Sequence, residues 1–229
     1  LWFNETVGEV ISSGGDYGKT ELGKGKRVLV EFVSANPTGP MHIGNARGGA
    51  LGDSLSSVLQ FAGYEVEREF YVNDAGNQIE KFGKSLSIRY MQIADGNKSD
   101  VIASYGDDDV CRKIFEDEEN FPMPEDVYKG VDIIEHAYNF YKINGGKFVN
   151  ADEESRKSAL VEYALPLNID GLEKDLAKYR IVYDTWFRES SLHKSGAVKQ
   201  IVDMLTEKGQ TYEKDGAIWF KASDFGDDQ

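Results

Sequence analysis

The sequence has a single cysteine, Cys111, so no internal disulfide can form and a secreted, disulfide-stapled scaffold is excluded. A reducing, cytoplasmic setting is the expectation. Long apolar runs are missing as well. The most apolar stretch, Val28-Leu29-Val30, is broken by Glu31 and resumes only with Phe32-Val33, far short of the ~20 residues a membrane-spanning helix needs. No membrane partner is expected. The first residues, Leu1-Trp2-Phe3-Asn4-Glu5, have no Met, no basic cluster and no long apolar core, so they do not form a signal peptide and read as a cut end. No internal repeat or low-complexity tract is visible.

What is present is the composition of an ordinary folded protein: 40% hydrophobic, 29% charged and 12% aromatic residues, which excludes a collagenous or wholly disordered chain. A length of 229 residues suits one large domain or a domain carrying an insertion. The net charge of −14 argues on its face against nucleic acid, because phosphate contacts need Lys and Arg. Its distribution matters more than its sum. Residues 1–94 hold 9 Lys and Arg against 11 Asp and Glu, which leaves −12 of the charge in residues 95–229.

Residues 27–33 are apolar and β-branched nearly throughout, which predicts a strand covered on both faces, as in a parallel sheet. A turn cluster, Asn36-Pro37-Thr38-Gly39-Pro40, stops it. From about Ile43 a helix is predicted, with Leu51, Leu55, Val58, Leu59 and Ala62 on its core-facing stripe and Gly63 as its stop. Val66 to Val72 alternates as a second strand, which makes a βαβ unit. Asn73 or Asp74 is the expected cap of a following helix that carries Ile79, Phe82, Leu86 and Tyr90.

After about Asp95 acidic clusters separate amphipathic segments near 109–117, 127–143 and 152–165. Gly196 to Lys208 reads as a helix and Thr211 to Phe220 as a hairpin around Asp215-Gly216. A boundary is therefore expected near 92–98, between an α/β half-domain (1–94) and a mostly helical insertion with one hairpin (95–229). Residues 1–16 read as the remnant of a preceding domain.

The stretch Ala35-Asn-Pro-Thr-Gly-Pro-Met-His-Ile-Gly-Asn45 lies between the first strand and the first helix, where open α/β sheets bind ligands. A helix N-terminus there offers free N–H groups and the positive dipole end to phosphate oxygens. Gly44 allows close approach, and His42 can donate a hydrogen bond that strengthens as charge develops on a phosphate. The chemistry suggested is displacement at an α-phosphate.

This block resembles the HIGH signature of class I aminoacyl-tRNA synthetases, and the wider run from Val30 to Gly48 is similar to that of arginyl-tRNA synthetases. Arg68-Glu-Phe-Tyr-Val-Asn-Asp-Ala-Gly-Asn-Gln-Ile79, Tyr183-Asp-Thr-Trp-Phe-Arg-Glu189 and Tyr212-Glu-Lys-Asp-Gly-Ala-Ile-Trp219 resemble later segments of the same family. The resemblance implies the first half of a Rossmann-like (HUP-type) parallel-sheet nucleotide-binding domain with a mostly helical connective-peptide insertion containing a β-hairpin. It implies ATP-dependent activation of L-arginine to arginyl-adenylate and its transfer to tRNA(Arg), with Mg2+ accompanying ATP and a monomeric parent enzyme.

By position, Glu31, Ser34, Asn36 and Asn45 would line the arginine pocket, and His42, Gly44 and Asn45 would contact ATP, His42 and Asn45 in catalytic roles. No resident metal site is implied. A carboxylate set into an apolar strand is costly unless paired, which favours Glu31 as the partner of a substrate cation over an internal pair with Arg47 or Arg27. Asp74 is a candidate for the substrate ammonium or a plain helix cap. His136 and His193 are expected to have structural roles. Trp186, Phe187 and Trp219 are expected to fill a small core within the insertion.

Two departures stand out. Asn45 occupies the place of the signature's second His, so no imidazolium is available there. Gly39 occupies the position where some members of the family carry Lys, and neither His193-Lys194-Ser195 nor Lys221-Ala222-Ser223 matches a KMSKS-type loop. The expectation is a fragment that lacks this loop and the anticodon-binding domain and is inactive alone. The alternatives are a small nucleotidyltransferase of the same superfamily, which would lack the large insertion, and a non-catalytic acidic interaction module.

Overall fold

Val28, Val30 and Phe32 alternate with Leu29 and Glu31, and this period of two forms strand β1 (Arg27–Glu31), which pairs in parallel with β2 (Glu65–Val72) in register Arg27 to Glu65 through Glu31 to Glu69. The computed structural model describes residues 2–95 and 121–226. A third strand, β3 (Thr185–Arg188), lies on the other side of β2, so the sheet order is β1-β2-β3 and β1 is an edge. Leu29 is 55% exposed, so β1 is covered on one face only, where the sequence pattern suggested two.

The strand also stops at Glu31 rather than at residue 33. Val33 and Ser34 have φ of +67° and +42°, which no ladder residue adopts, and the Ser34 N–H donates to the Phe32 carbonyl at 3.0 Å across a tight turn centred on Val33. Left-handed backbone at a β-branched residue is strained, and it turns the chain away from the sheet just before the Asn36-Pro37 cluster.

After an N-terminal helix α1 (Trp2–Ser13), helix α2 (Ile43–Phe61) returns over the sheet to β2, completing the βαβ unit. It does not bury the stripe that its periodicity suggests. Leu51, Leu55 and Val58 are 71%, 49% and 65% exposed, whereas its buried positions are Gly49, Gly52 and Ser56. The reason is close approach. A Cβ at Gly52 would stand 2.2 Å from Phe32 Cγ, and one at Gly49 would stand 2.7 Å from Ile181 Cδ1.

Helix α3 (Asn77–Asp95) starts later than Asn73 or Asp74, so neither residue is its cap; the Asp74 N–H instead donates to the Val72 carbonyl at 2.9 Å. Its predicted face is buried as expected, with Phe82, Leu86 and Tyr90 inaccessible to solvent. They pack with α4 (Val131–Asn144) and the first part of α5 (Glu153–Lys178) around Ile133, Ile134, Ala137, Phe140, Leu160 and Ala164. The acidic Asp152 caps α5 by accepting from the Ser155 N–H at 2.8 Å.

Helix α5 runs to Lys178 through Pro166, well past the segment 152–165. Beyond that proline it enters a second core, in which Ile169, Leu172 and Leu176 meet Phe32, Phe70, Val72 and Tyr183. Trp186 belongs to this sheet core and not to a separate one, as it stacks on Phe70 at 4.4 Å between centroids. The change in acidity near 92–98 therefore does not coincide with a change of core, because α3 packs against helices from the acidic part. The predicted segment 109–117 and Cys111 lie outside the described residues.

Two compact units divide at Phe187 and Arg188. The second contains α6 (Glu189–Lys194), α7 (Ala197–Glu207) and the antiparallel hairpin β4 (Thr211–Lys214) and β5 (Ala217–Phe220). Asp215 and Gly216 both have positive φ, +53° and +76°, as a tight two-residue hairpin turn requires. Trp219 is half exposed, with its indole N–H donating to the Lys214 carbonyl at 3.2 Å. It is a surface residue of the hairpin rather than a core filler.

Among the described residues no helix is long and apolar enough to cross a membrane.

Candidate active site

The chain that follows β1 lines a cleft of about 520 Å³, within the range of ligand sites. One wall is the chain from residue 33 to residue 42, together with Asn45 on the first turn of α2. The other is Tyr128, Lys129, Gly130 and Asp132 at the start of α4, residues to which the sequence pattern assigned no site role.

His42 is the N-cap of α2. Its Nδ1 accepts from the Gly44 N–H at 3.1 Å, while its own N–H donates to Asn45 Oδ1 at 3.1 Å, so the two side chains close a reciprocal cap. This fixes the ring chemically. A neutral imidazole that accepts at Nδ1 carries its proton at Nε2, so His42 offers a hydrogen-bond donor from an exposed edge of the turn. The Gly44 N–H is thereby satisfied internally and is not free for a phosphate, which narrows the role given to it on sequence. Asn45, in the place of an expected His, acts in this structure as half of the cap.

Ser34 and Asn36 tie the turn to the neighbouring strand. Ser34 Oγ accepts from the Tyr71 N–H at 3.1 Å and donates to the Glu31 carboxylate; Asn36 Oδ1 accepts from Asn73 Nδ2 at 3.1 Å. Both residues line the cleft. Glu31 does not: it is an exposed residue at the strand end, bound through Ser34, so the burial argument made for it from the sequence does not apply. Arg27 pairs with Glu67 at 3.6 Å instead of with Glu31. Asp74 is outside the cleft lining as well.

The turn is held from behind. Asn168 Nδ2 on α5 donates to the Pro37 carbonyl at 3.0 Å, which leaves its Oδ1 to accept from His136 Nε2 on α4 at 2.7 Å. Since the Pro37 oxygen can only accept, the amide orientation and hence the Nε2–H state of His136 follow. His136 is structural, as expected, but its structural role is to support the ligand turn. His193 is a surface residue 3.7 Å from Glu189.

Asp132 is the acidic member of the cleft. Burial raises its carboxyl above the usual aspartate range, outweighing hydrogen bonds from its own and the Ile133 N–H and the nearby His136. In the sheet core behind the cleft, burial and the charges of Asp53 and Glu31 push the Tyr183 phenol well above its ordinary value, and its hydroxyl donates to the Phe32 carbonyl at 3.1 Å.

A parallel βαβ unit whose helix starts in a His-capped turn beyond the strand end has the layout of a nucleotide site in an open α/β sheet. Residues 6–228 match the family model described as tRNA synthetases class I (R), catalytic domain, and the chain belongs to that family. The chain is 52% identical over 222 residues to a protein named arginine–tRNA ligase from Caldanaerobacter subterraneus subsp. tengcongensis, covering 97% of the chain and 35% of that relative. It is 49% identical over 225 residues to a protein of the same name from Acetivibrio thermocellus, covering 98% of the chain and 36% of the relative.

The chain thus spans about a third of the length of these relatives. Among solved structures, a chain described as an arginyl-tRNA synthetase from Campylobacter jejuni aligns with a TM-score of 0.71 and 29% identity, over 100% of this chain and 44% of that one. The Thermus thermophilus arginyl-tRNA synthetase, at 19% identity and a TM-score of 0.51 over 87% of this chain and 30% of that one, supports the fold alone.

Proposed function

We propose that this chain forms the first, substrate-activating part of the catalytic domain of an arginine–tRNA ligase, residues 1–94, with an attached connective-peptide insertion, residues 95–229. The observation that carries the reading is the identity of about half of its residues with proteins of that name across nearly the whole chain. The cleft geometry adds to it. In the proposed reaction a carboxylate oxygen of L-arginine attacks the α-phosphorus of ATP, the bond to pyrophosphate breaks, and arginyl-adenylate forms. The terminal ribose of tRNA(Arg) then takes the arginyl group and AMP leaves.

His42 would donate from Nε2 to an α-phosphate oxygen as charge builds on it, and the Asn45 cap would hold the ring for that contact. Ser34 and Asn36 would orient the amino acid, and Glu31 would act through Ser34. The Mg2+ that accompanies ATP would be carried on the nucleotide's phosphates, with one or two protein oxygens at most. A cytoplasmic location and a monomeric parent enzyme belong to the same proposal.

Arginine-dependent exchange of pyrophosphate into ATP, in the presence of tRNA(Arg), tests it. The complete protein containing this chain is expected to catalyse the exchange and the chain alone is not. Robust turnover by the chain alone would refute the division of labour, and no exchange by the complete protein would refute the function.

A further inference from the structure

From Pro37 to Met41 the chain makes no backbone–backbone hydrogen bond among the described residues, and Pro37 and Pro40 have no N–H to give. This stretch nevertheless has to deliver His42 to the start of α2. Its two ends are fixed by local contacts. Asn36 Oδ1 accepts from Asn73 Nδ2 on one side, and His42 and Asn45 close their reciprocal cap on the other. Between those ends Pro37 and Thr38 are buried, and the Pro37 carbonyl accepts from Asn168 Nδ2 of α5, 131 positions further along the chain.

That anchor has a defined polarity. Without a second partner, only the Pro37 bond itself would hold the amide in its donating orientation. His136 supplies the second partner: its Nε2–H donates to Asn168 Oδ1 at 2.7 Å, which commits Nδ2 to the Pro37 oxygen at 3.0 Å. Helices α4 and α5 thus hold the turn through two hydrogen bonds of fixed direction. We propose that Asn168 is a positioning residue for adenylate formation, which places the turn so that His42 Nε2 meets the α-phosphate, with His136 locking the amide. The inference rests on the activation reaction proposed above and adds no ligand contact to it. Ser34 and Asn36 keep their own ties to Tyr71 and Asn73, so the effect falls on the chemical step rather than on arginine binding.

The test is arginine-dependent pyrophosphate exchange by the complete ligase with tRNA(Arg) present, comparing the unaltered protein with Asn168→Asp. This replacement keeps the shape of the side chain but can only accept, so it sets an oxygen against the Pro37 oxygen. The kcat is expected to fall about tenfold to a hundredfold, the scale of a small misplacement, with the KM values for arginine and ATP changed by less than about threefold. Action through His42 gives a second readout. In a His42→Ala background, Asn168→Asp is expected to lower kcat by less than about twofold, because the contact it positions is already gone. His136 gives a third. His136→Phe removes the donor and is expected to lower kcat as well, whereas His136→Gln, whose amide N–H can replace Nε2–H, is expected to keep kcat within about twofold of the unaltered protein.

A folded Asn168→Asp protein whose kcat stays within about twofold of the unaltered one overturns this inference and leaves the function standing. A loss of equal size with and without the His42 side chain does the same, since it reports general damage rather than positioning, and so does an effect confined to either KM. Absence of arginine-dependent exchange in the unaltered protein overturns the function and the inference together. Should Asn168→Asp fail to fold, the two His136 variants decide: a loss of kcat in His136→Phe that His136→Gln avoids supports the relay, and equal activities of the two remove it.

Discussion

Gly52 sits where α2 crosses the ring of Phe32, and a single methyl group there has nowhere to go. Gly52→Ala is expected to destabilise the chain by ~1–3 kcal/mol, the usual cost of overpacking, despite the higher helix propensity of Ala. Leu51→Ala, one residue away on the exposed face, is expected to change stability by no more than ~0.5 kcal/mol. Urea unfolding monitored by circular dichroism distinguishes the two. Asp132 shows the opposite balance. Its folded-state carboxyl holds its proton more tightly than the unfolded one, so the folded state binds more protons as pH falls and gains stability through that window. Ionisation of Asp132 is therefore a stability cost at neutral pH. Asp132→Asn is expected to raise the melting temperature at pH 7, and the gain is expected to shrink as pH falls toward the ordinary aspartate value of 3.8. A gain of constant size across that range would contradict the burial argument.

The two faces of α2 show how far periodicity reaches. Leu51, Leu55 and Val58 at i, i+4 and i+7 were enough to place the helix, because any 3.6-residue stripe marks one. They did not indicate the buried side. That was set by close packing against Phe32 and Ile181, which leaves no room for a side chain at Gly52 and Gly49, and no hydrophobicity pattern encodes a contact made by glycines. The end of β1 was similarly hidden, because Val33 is a strong strand former held at positive φ by the turn that follows. The amphipathic segment placed near 152–165 proved to be the first part of α5, which continues through Pro166 and links two cores. The turn itself was legible, since Pro, Gly and His at fixed offsets after a strand carry their own mechanism. Its opposite wall was not, since Tyr128, Lys129 and Asp132 are far off in sequence and meet it only through packing. The exposed stripe yields a prediction at this scale. Replacing Leu51 and Leu55 together by Gln is expected to leave the unfolding free energy within ~1 kcal/mol and to reduce concentration-dependent association measured by light scattering. A loss of several kcal/mol would mean that this face is packed.

For the molecule as a whole, the −14 charge loses the meaning it has in isolation. It lies almost entirely after residue 94, and this chain covers about a third of the length of its named relatives. The acidic part is not a detached appendage either. Helices α4 and α5 pack on α3, supply one wall of the cleft and hold Pro37 from behind through Asn168. Activation of an amino acid is thus expected to depend on both parts of the chain. The most direct test of the central claim is the rate of arginine-dependent pyrophosphate exchange by the complete protein carrying His42→Ala, with folding verified by its melting curve. The expected result is a fall of ~10²–10³-fold in kcat, the usual consequence of removing a donor aimed at developing charge. A rate within about twofold of the unaltered protein, in a folded variant, would contradict it, since an effect that small is less than a single such hydrogen bond contributes.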